Sequence, residues 1–295
     1  MLADAALGDP KNFPHPVRLI GRVINFWQRI FFVDEKSFLR GLALCALTLC
    51  TTGLLVYVPA SNFLVQIYLM YAALACRDLK DETEPIFRAL LRKDLTEARK
   101  ALSFVVGRDT DNLNEIEIVR AVIETVAENS IDGVISVMFY AAAGYAIGGG
   151  VGMILAVWLF KAASTLDSMV GYERLGSFGK ASARLDDVLN FVPARLGGLI
   201  ITMSGGNFSR AFKIFLRDRR NHRSPNSAHA ESAFAGVLNV RLGGGASYGG
   251  EFVPRPFINS QAREPEIFDI VRAWRLLDVS CAVFASLMIC LTWKL

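Results

Sequence analysis

GLALCALTLCTTGLLVYV, residues 41–58, is a run of eighteen residues without a charge. As a helix rising about 1.5 Å per residue, and with Leu39 ahead of it, it is long enough to cross the roughly 30 Å apolar core of a bilayer. Moving outward, Pro59–Asn62 forms a tight uncharged turn. A second uncharged run, from Phe63 to Cys76, is closed by Arg77. The two runs read as a membrane hairpin. Basic residues crowd its outer ends (Arg29, Lys36 and Arg40; then Arg77 and Lys80) and the turn has none, so the positive-inside rule puts both ends in the cytoplasm.

The bulk composition agrees. Of 295 residues, 53% are hydrophobic and 20% charged. A soluble domain has about 45–50% apolar and about 25% charged residues. The apolar excess sits in runs, which is the membrane pattern. The net charge of +4 suits anionic lipid or an anionic substrate and does not call for nucleic acid. Cys45, Cys50, Cys76, Cys281 and Cys290 lie in or beside apolar runs without a C-x-x-C pair, so neither a disulfide framework nor a zinc site is expected. Asp4 and Asp9 speak against a cleavable signal peptide.

Upstream of the hairpin, Pro10, Pro14 and Pro16 exclude a helix across the start, and Pro16 suits the first turn of one. Leu19, Ile20, Val23, Ile24, Trp27 and Phe31 alternate with Arg18, Arg22 and Arg29. This is an amphipathic basic helix, lying in the membrane interface or covering a core. Downstream, residues 77–132 read as a soluble insertion. A helix is expected from about Asn112, with Glu115 in capping-box position. Its apolar face is Ile116, Val119, Ile123 and Val126, and Glu117, Arg120, Glu124 and Glu128 line the other face, continuing to Asp132. Gly133–Phe160 is uncharged and carries Gly148-Gly149-Gly150, so it reads as a second hairpin. Residues 161–187 return to the cytoplasmic side. Residues 188–204, interrupted by Pro193 and Arg195, read as re-entrant or interfacial. The expected architecture is one all-α, polytopic domain over 1–295. Its spans lie near 41–58, 63–76, 133–147, 151–160 and 279–293, with cytoplasmic segments 77–132, 161–187 and 205–275.

Several polar groups have chemical potential. Glu124, Glu128 and Asp132, with Arg120 and Asn129, form a stripe that runs into an uncharged segment. Carboxylates one turn apart can share Mg²⁺ with substrate phosphates, and a solvated face with an Arg120–Glu124 pair is the bland alternative. Lys161, Ser164, Thr165 and Ser168, with Tyr172 a turn on and Asp167 beside them, suit phosphate, although a lysine at a helix end also snorkels. Arg184, Asp186 and Asp187 are weak alone. In Arg217–Gly250, Arg217, Arg219, Arg220 and Arg223 give forked donors for anions. That stretch has no apolar face long enough for an ordinary core helix. Ser224-Pro225-Asn226 breaks any helix joining His222 to His229, so a metal pair is not expected. Ser227 to Glu231 then opens a helix of small residues, and Gly243–Gly245 and Gly249–Gly250 allow close approach to a ligand.

Five strings in order, LGDPKNFPHPVRLIGRVI, GRDTDNLNEIEIVRAVIETVAENSIDGVIS, FKAASTLDSMVGY, ASARLDDVLNFVPARL and HRSPNSAHAESAFAGVLNVRLGG, resemble the adenosylcobinamide-phosphate synthase family of cobalamin biosynthesis (CobD/CbiB). The resemblance covers nearly the whole chain. It implies a multi-pass enzyme of the bacterial inner membrane with its active face in the cytoplasm. Such an enzyme joins adenosylcobyric acid to aminopropanol or its phosphate, with ATP as co-substrate and Mg²⁺ as cofactor. The expected catalytic residues are Glu124, Glu128, Lys161, Asp167, Arg184, Asp186 and His222, with Mg²⁺ on Glu124, Glu128 and Asp132. Substrate is expected on His15, Arg18, Arg120, Asn129, Arg223, Asn226, Glu231 and Arg241. His222 or His229 would take the proton of the attacking ammonium. Ala228-His229-Ala230 departs from the aromatic-proline pair expected there. The expected partners are corrinoid and aminopropanol substrates, membrane lipid, and a further copy or other membrane enzymes of the pathway. A non-catalytic membrane sensor of the same superfamily and a transporter are the competing readings.

Overall fold

Proline sets where the first described helix begins. His15 is extended, its ring nitrogen accepts the Val17 N–H, and Pro16 opens α1 (Pro16–Phe31). The computed structural model describes residues 15–32, 36–172 and 175–292. Expectations on residues 1–14, and the end of the last apolar run at Trp293, lie outside these. Among the described residues the chain is helical apart from two short antiparallel strand pairs, an all-α protein as expected. It divides into two compact units where one domain was expected.

Of the described residues, the first unit holds those within 15–75, 136–191 and 286–292. Ile20 and Ile24 bury one face of α1, while Arg18, Arg22 and Arg29 stay exposed. This buried face covers a core while Leu19, Phe26 and Ile30 stay exposed, and Trp27 Nε1 donates to Thr51 Oγ1 of α2 (Phe38–Tyr57). A 3₁₀ turn, Pro59–Ser61, leads to α3 (Phe63–Ala73). At eleven residues, or about 16 Å, α3 is shorter than the expected 63–76 span, because Leu74 turns extended and ends it. The glycine hairpin forms as read. Within α7 (Ser136–Val170) the helix breaks at Gly148 and at Gly149, φ +58°. The two arms then pack so closely that a Cβ on Gly144 would strike the Gly152 carbonyl. Gly41 of α2 likewise lies against the Phe178 carbonyl of α8 (Gly176–Leu189).

The second unit holds residues 76–135 and 192–285. Its helices are α4 (Cys76–Leu91), α5 (Leu95–Ser103), α6 (Glu115–Ser130), the bulk of α9 (Phe191–Met203), α10 (Phe208–Asp218), α11 (Ser227–Leu238) and the first part of α12 (Ile267–Thr292). The strands are β1 (Leu242–Gly243), β2 (Ala246–Tyr248), β3 (Glu251–Val253) and β4 (Phe257–Ile258), pairing β1 with β4 and β2 with β3. The capping box of α6 falls two residues beyond the expected site. Asn114 accepts the Glu117 N–H, and the Glu117 carboxylate accepts the Asn114 N–H. Apart from Arg120, which is partly exposed, residues 118–127 of α6 are buried, Glu124 among them, so most of the expected polar face is not solvated. Likewise α11 is buried from Ser227 through Gly236, a core helix where none was expected. Its small residues allow this: a Cβ on Gly236 would meet the Ala211 backbone of α10 at 2.9 Å.

Among the described residues, three helical runs are long and apolar enough to cross a membrane: Phe38–Tyr57, Glu115–Val170 and Ile267–Thr292. The second includes the glycine hairpin. The third begins well before the expected 279–293 span. The thirteen residues of α9 are apolar but fall short of a span.

Candidate active site

Glu124 is the centre of the second unit's polar core and is only 2% exposed. It sits midway along α6 and accepts three hydrogen bonds. Arg108 Nη2 donates to Oε2 at 2.7 Å, Arg255 Nη2 to the same oxygen at 3.3 Å, and the Gly243 N–H to Oε1 at 2.7 Å. Each donor is placed by local chemistry. Gly243 has φ +75°, which lets its amide face the helix. Arg255 lies between Pro254 and Pro256, whose fixed φ angles stiffen the β3–β4 connection. Arg108 is held by its neighbour: the two-residue turn Gly249-Gly250, both at positive φ, points two N–H groups at the Asp109 carboxylate, at 3.0 and 2.7 Å. These glycines were expected to approach a ligand, but they bind the protein's own carboxylate.

Around this ion pair stand Glu231, Glu128, Ser227 and His222. Ser227 Oγ donates to Glu128 Oε1 at 2.7 Å. Glu231 of α11 is 2% exposed, with Arg255 Nη1 at 3.8 Å. Burial raises its pKa to about 8; Glu124 and Glu128 add to the rise while Arg255 and Arg108 oppose it. At neutral pH Glu231 is mostly a carboxylic acid. Burial lowers the pKa of His222, against the pull of Glu128. The Ser224 N–H donates to His222 Nδ1 at 2.9 Å, so the neutral ring carries its proton on Nε2. His222 therefore presents a donor, not the base expected of it. His229 is buried edge-on to Phe215, and burial together with Arg195 brings its pKa to about 4. It is neutral in the core.

A second ionic group adjoins. Arg120, one turn before Glu124, donates to Glu264 at 2.6 Å. Arg241 pairs with the same carboxylate, and both guanidiniums lie over the Phe257 ring. The bland Arg120–Glu124 pair is thus replaced by longer-range partners. Four buried polar atoms here have no protein partner: the Nε of Arg120, Arg241 and Arg255, and Oε2 of Glu231.

The unit thus brings together Glu124, Glu128, Glu231 and His222, with Arg120 and Arg241 beside them. Asn129 spends its amide on the Thr125 carbonyl, Asn226 accepts from Arg195 at 3.2 Å, and Arg223 is exposed. Asp132 falls in a π-helical turn, Ile131–Ile135, which breaks the expected one-face stripe. Among the described residues no three His, Cys, Asp or Glu side chains are grouped to hold a metal. Glu124 already accepts from two guanidiniums, so the three expected Mg²⁺ ligands do not fit that ion as a set. His15, Arg18, Lys161, Asp167, Arg184 and Asp186 belong to the first unit. There, the Thr165 and Ser168 hydroxyls bond back to the Lys161 and Ser164 carbonyls, and Tyr172 lies beyond the end of α7 instead of on its face. Arg184 stacks over Phe38, and Asp186 accepts from Asn190. Arg108, Asp109 and Arg255 went unread as site residues. The first two stand in the GRDTD string, and the flanking prolines are the only local sign of the third.

The family model for CobD/Cbib protein matches residues 1–277. The chain belongs to this family. Curated relatives include the cobalamin biosynthesis protein CobD of Clostridium perfringens, 40% identical over 94% of this chain and 90% of the relative. The CobD of Desulfotalea psychrophila is 41% identical over 94% and 91%. The cobalamin biosynthesis protein CbiB of Salmonella typhimurium is 39% identical over 97% and 93%. No solved structure matches the chain. Together with its apolar helices, membership of the CobD/CbiB family makes it a membrane protein.

Proposed function

We propose that this chain is a carbon–nitrogen bond-forming synthase of cobalamin biosynthesis, set in the bacterial inner membrane with its site open to the cytoplasm. It joins a propionate carboxylate of adenosylcobyric acid to the amine of aminopropanol or its phosphate. The reading rests above all on three buried guanidinium N–H groups and one carboxyl oxygen without protein partners, on Arg120, Arg241, Arg255 and Glu231. Buried donors of that kind are costly unless an anion takes them up.

A carboxylate does not react with an amine until its oxygen is made a leaving group. ATP supplies the phosphoryl group: a carboxylate oxygen bonds to the γ-phosphorus, ADP leaves, and an acyl phosphate forms. The amine then attacks the acyl carbon, and phosphate departs with the former carboxylate oxygen. The arginines hold the propionate and phosphate oxygens and offset the charge that grows on them. Glu124 keeps Arg108 and Arg255 in fixed orientations. The amine must lose a proton, and ionised Glu231, with a pKa of about 8, is matched to that task near neutral pH. The His222 Nε2–H serves as a donor. Mg²⁺ enters as the counter-ion of the nucleotide. Membranes bearing the chain, given adenosylcobyric acid, aminopropanol phosphate and Mg-ATP, are expected to release ADP and an amidated corrinoid. Absence of both products would refute the reading.

A further inference from the structure

The first unit holds a cavity of about 520 Å³, walled by α1, α2, α3 and Trp158 of α7, that the proposed reaction does not use. The volume lies within the usual range of about 300–1,000 Å³ for small-molecule sites. Most of its wall is apolar, as at Leu55, but it is not uniformly so. Arg18 and Arg22 also line it, both exposed and without an acidic partner among the described residues. Two other wall residues, Thr52 and Trp158, are at most 2% exposed. The Thr52 hydroxyl and the Trp158 indole N–H have no protein partner. A helix threonine ordinarily bonds back to a carbonyl one turn earlier, as Thr165 does in this unit. A buried hydroxyl and indole N–H left over in the lining of one cavity are both donors in want of an acceptor.

We propose that this cavity binds one anionic phospholipid. An acyl chain fills the apolar wall, an ester carbonyl accepts from Thr52 and Trp158, and the phosphate lies against Arg18 and Arg22. The ligand must combine an apolar body, a neutral acceptor and an anion. A detergent-like alkyl chain lacks the last two. A zwitterionic lipid brings its own cation to the arginines. Because α2 is long enough to span a bilayer, lipid is at hand on this unit's surface. Arg18, expected from sequence to meet substrate, is assigned to lipid instead.

The test uses the full chain in phosphatidylcholine nanodiscs doped with phosphatidylglycerol, with retained lipid counted by native mass spectrometry after transfer to detergent. One phosphatidylglycerol per chain should remain, in preference to phosphatidylcholine. The double variant Arg18→Gln/Arg22→Gln should lose that preference by roughly 30-fold. Thr52→Val/Trp158→Phe should weaken both lipids by roughly tenfold. If the latter fails to fold, the exposed arginine pair carries the test alone. Equal retention of the two lipids, no retained lipid, unchanged variants, or displacement of phosphatidylglycerol by a corrinoid would each overturn the proposal.

Discussion

Replacing Glu124 by leucine should unfold the second unit far more readily than a typical core substitution. The side chain is 2% exposed and accepts from Arg108, Arg255 and the Gly243 amide. The side chains of the two arginines are themselves only 14% and 9% exposed. Removing one member of a buried ion pair costs about 3–5 kcal/mol, because the remaining charge stays desolvated. The stranded Gly243 N–H adds about 1–3 kcal/mol where no water reaches it. The terms overlap, so a total near 5 kcal/mol is expected, or a fall in apparent Tm of roughly 10 °C or more at about 2–4 °C per kcal/mol. The assay is thermal unfolding of the detergent-solubilised full chain at a fixed scan rate, read by tryptophan fluorescence. Adding Arg108→Met to Glu124→Leu removes one of the orphaned charges, so the double variant should be less destabilised than the sum of the singles. A fall of less than about 2 °C for Glu124→Leu would refute the buried-pair reasoning. So would strict additivity of the double variant.

Three further outcomes follow from the same structure. The rate of amide formation should rise with pH through about 8, as Glu231 ionises, and Glu231→Gln should abolish both the limb and most of the activity; an unchanged pH profile in the variant would assign the proton to another group. His229, neutral and held at about 4, binds its proton more readily when unfolded, so stability is full above about 6.5 and falls as the pH drops towards 4. The loss is about 3 kcal/mol across that window, and in His229→Gln the slope of Tm against pH should flatten there. Gly41→Val should separate α2 from α8, since even a Cβ at Gly41 would strike the Phe178 carbonyl; overpacking of this kind costs about 1–3 kcal/mol, and a Tm equal to that of the parent chain would contradict the contact.

Local rules made much of the scaffold legible. Pro16 marked the start of α1, Ser224-Pro225-Asn226 marked a break, and Gly148–Gly149 marked a reversal between apolar arms. Each is a backbone property that travels with the residue. The site was read less well because its partners are distant in the chain. Arg255 meets Glu124 across 131 positions, and no periodicity announces it. The polar stripe on α6 was read as a wet face or a metal site because hydrophobic patterning shows where charges lie, not what neutralises them. The glycines after Leu242 were read as points of close approach to a ligand, but the approaching groups proved to be the protein's own Asp109 and Glu124. The same logic hid the core position of α11: its alanines and serines form a weak apolar face, yet their small size is what lets α10 pack so close.

The most direct measurement is isotopic. Purified chain is supplied with Mg-ATP, aminopropanol phosphate and adenosylcobyric acid whose free carboxylate carries ¹⁸O. The account predicts an amidated corrinoid together with inorganic phosphate bearing one ¹⁸O, because the phosphate departs with the former carboxylate oxygen. Amide product with unlabelled phosphate, or no amide product at all, would contradict it.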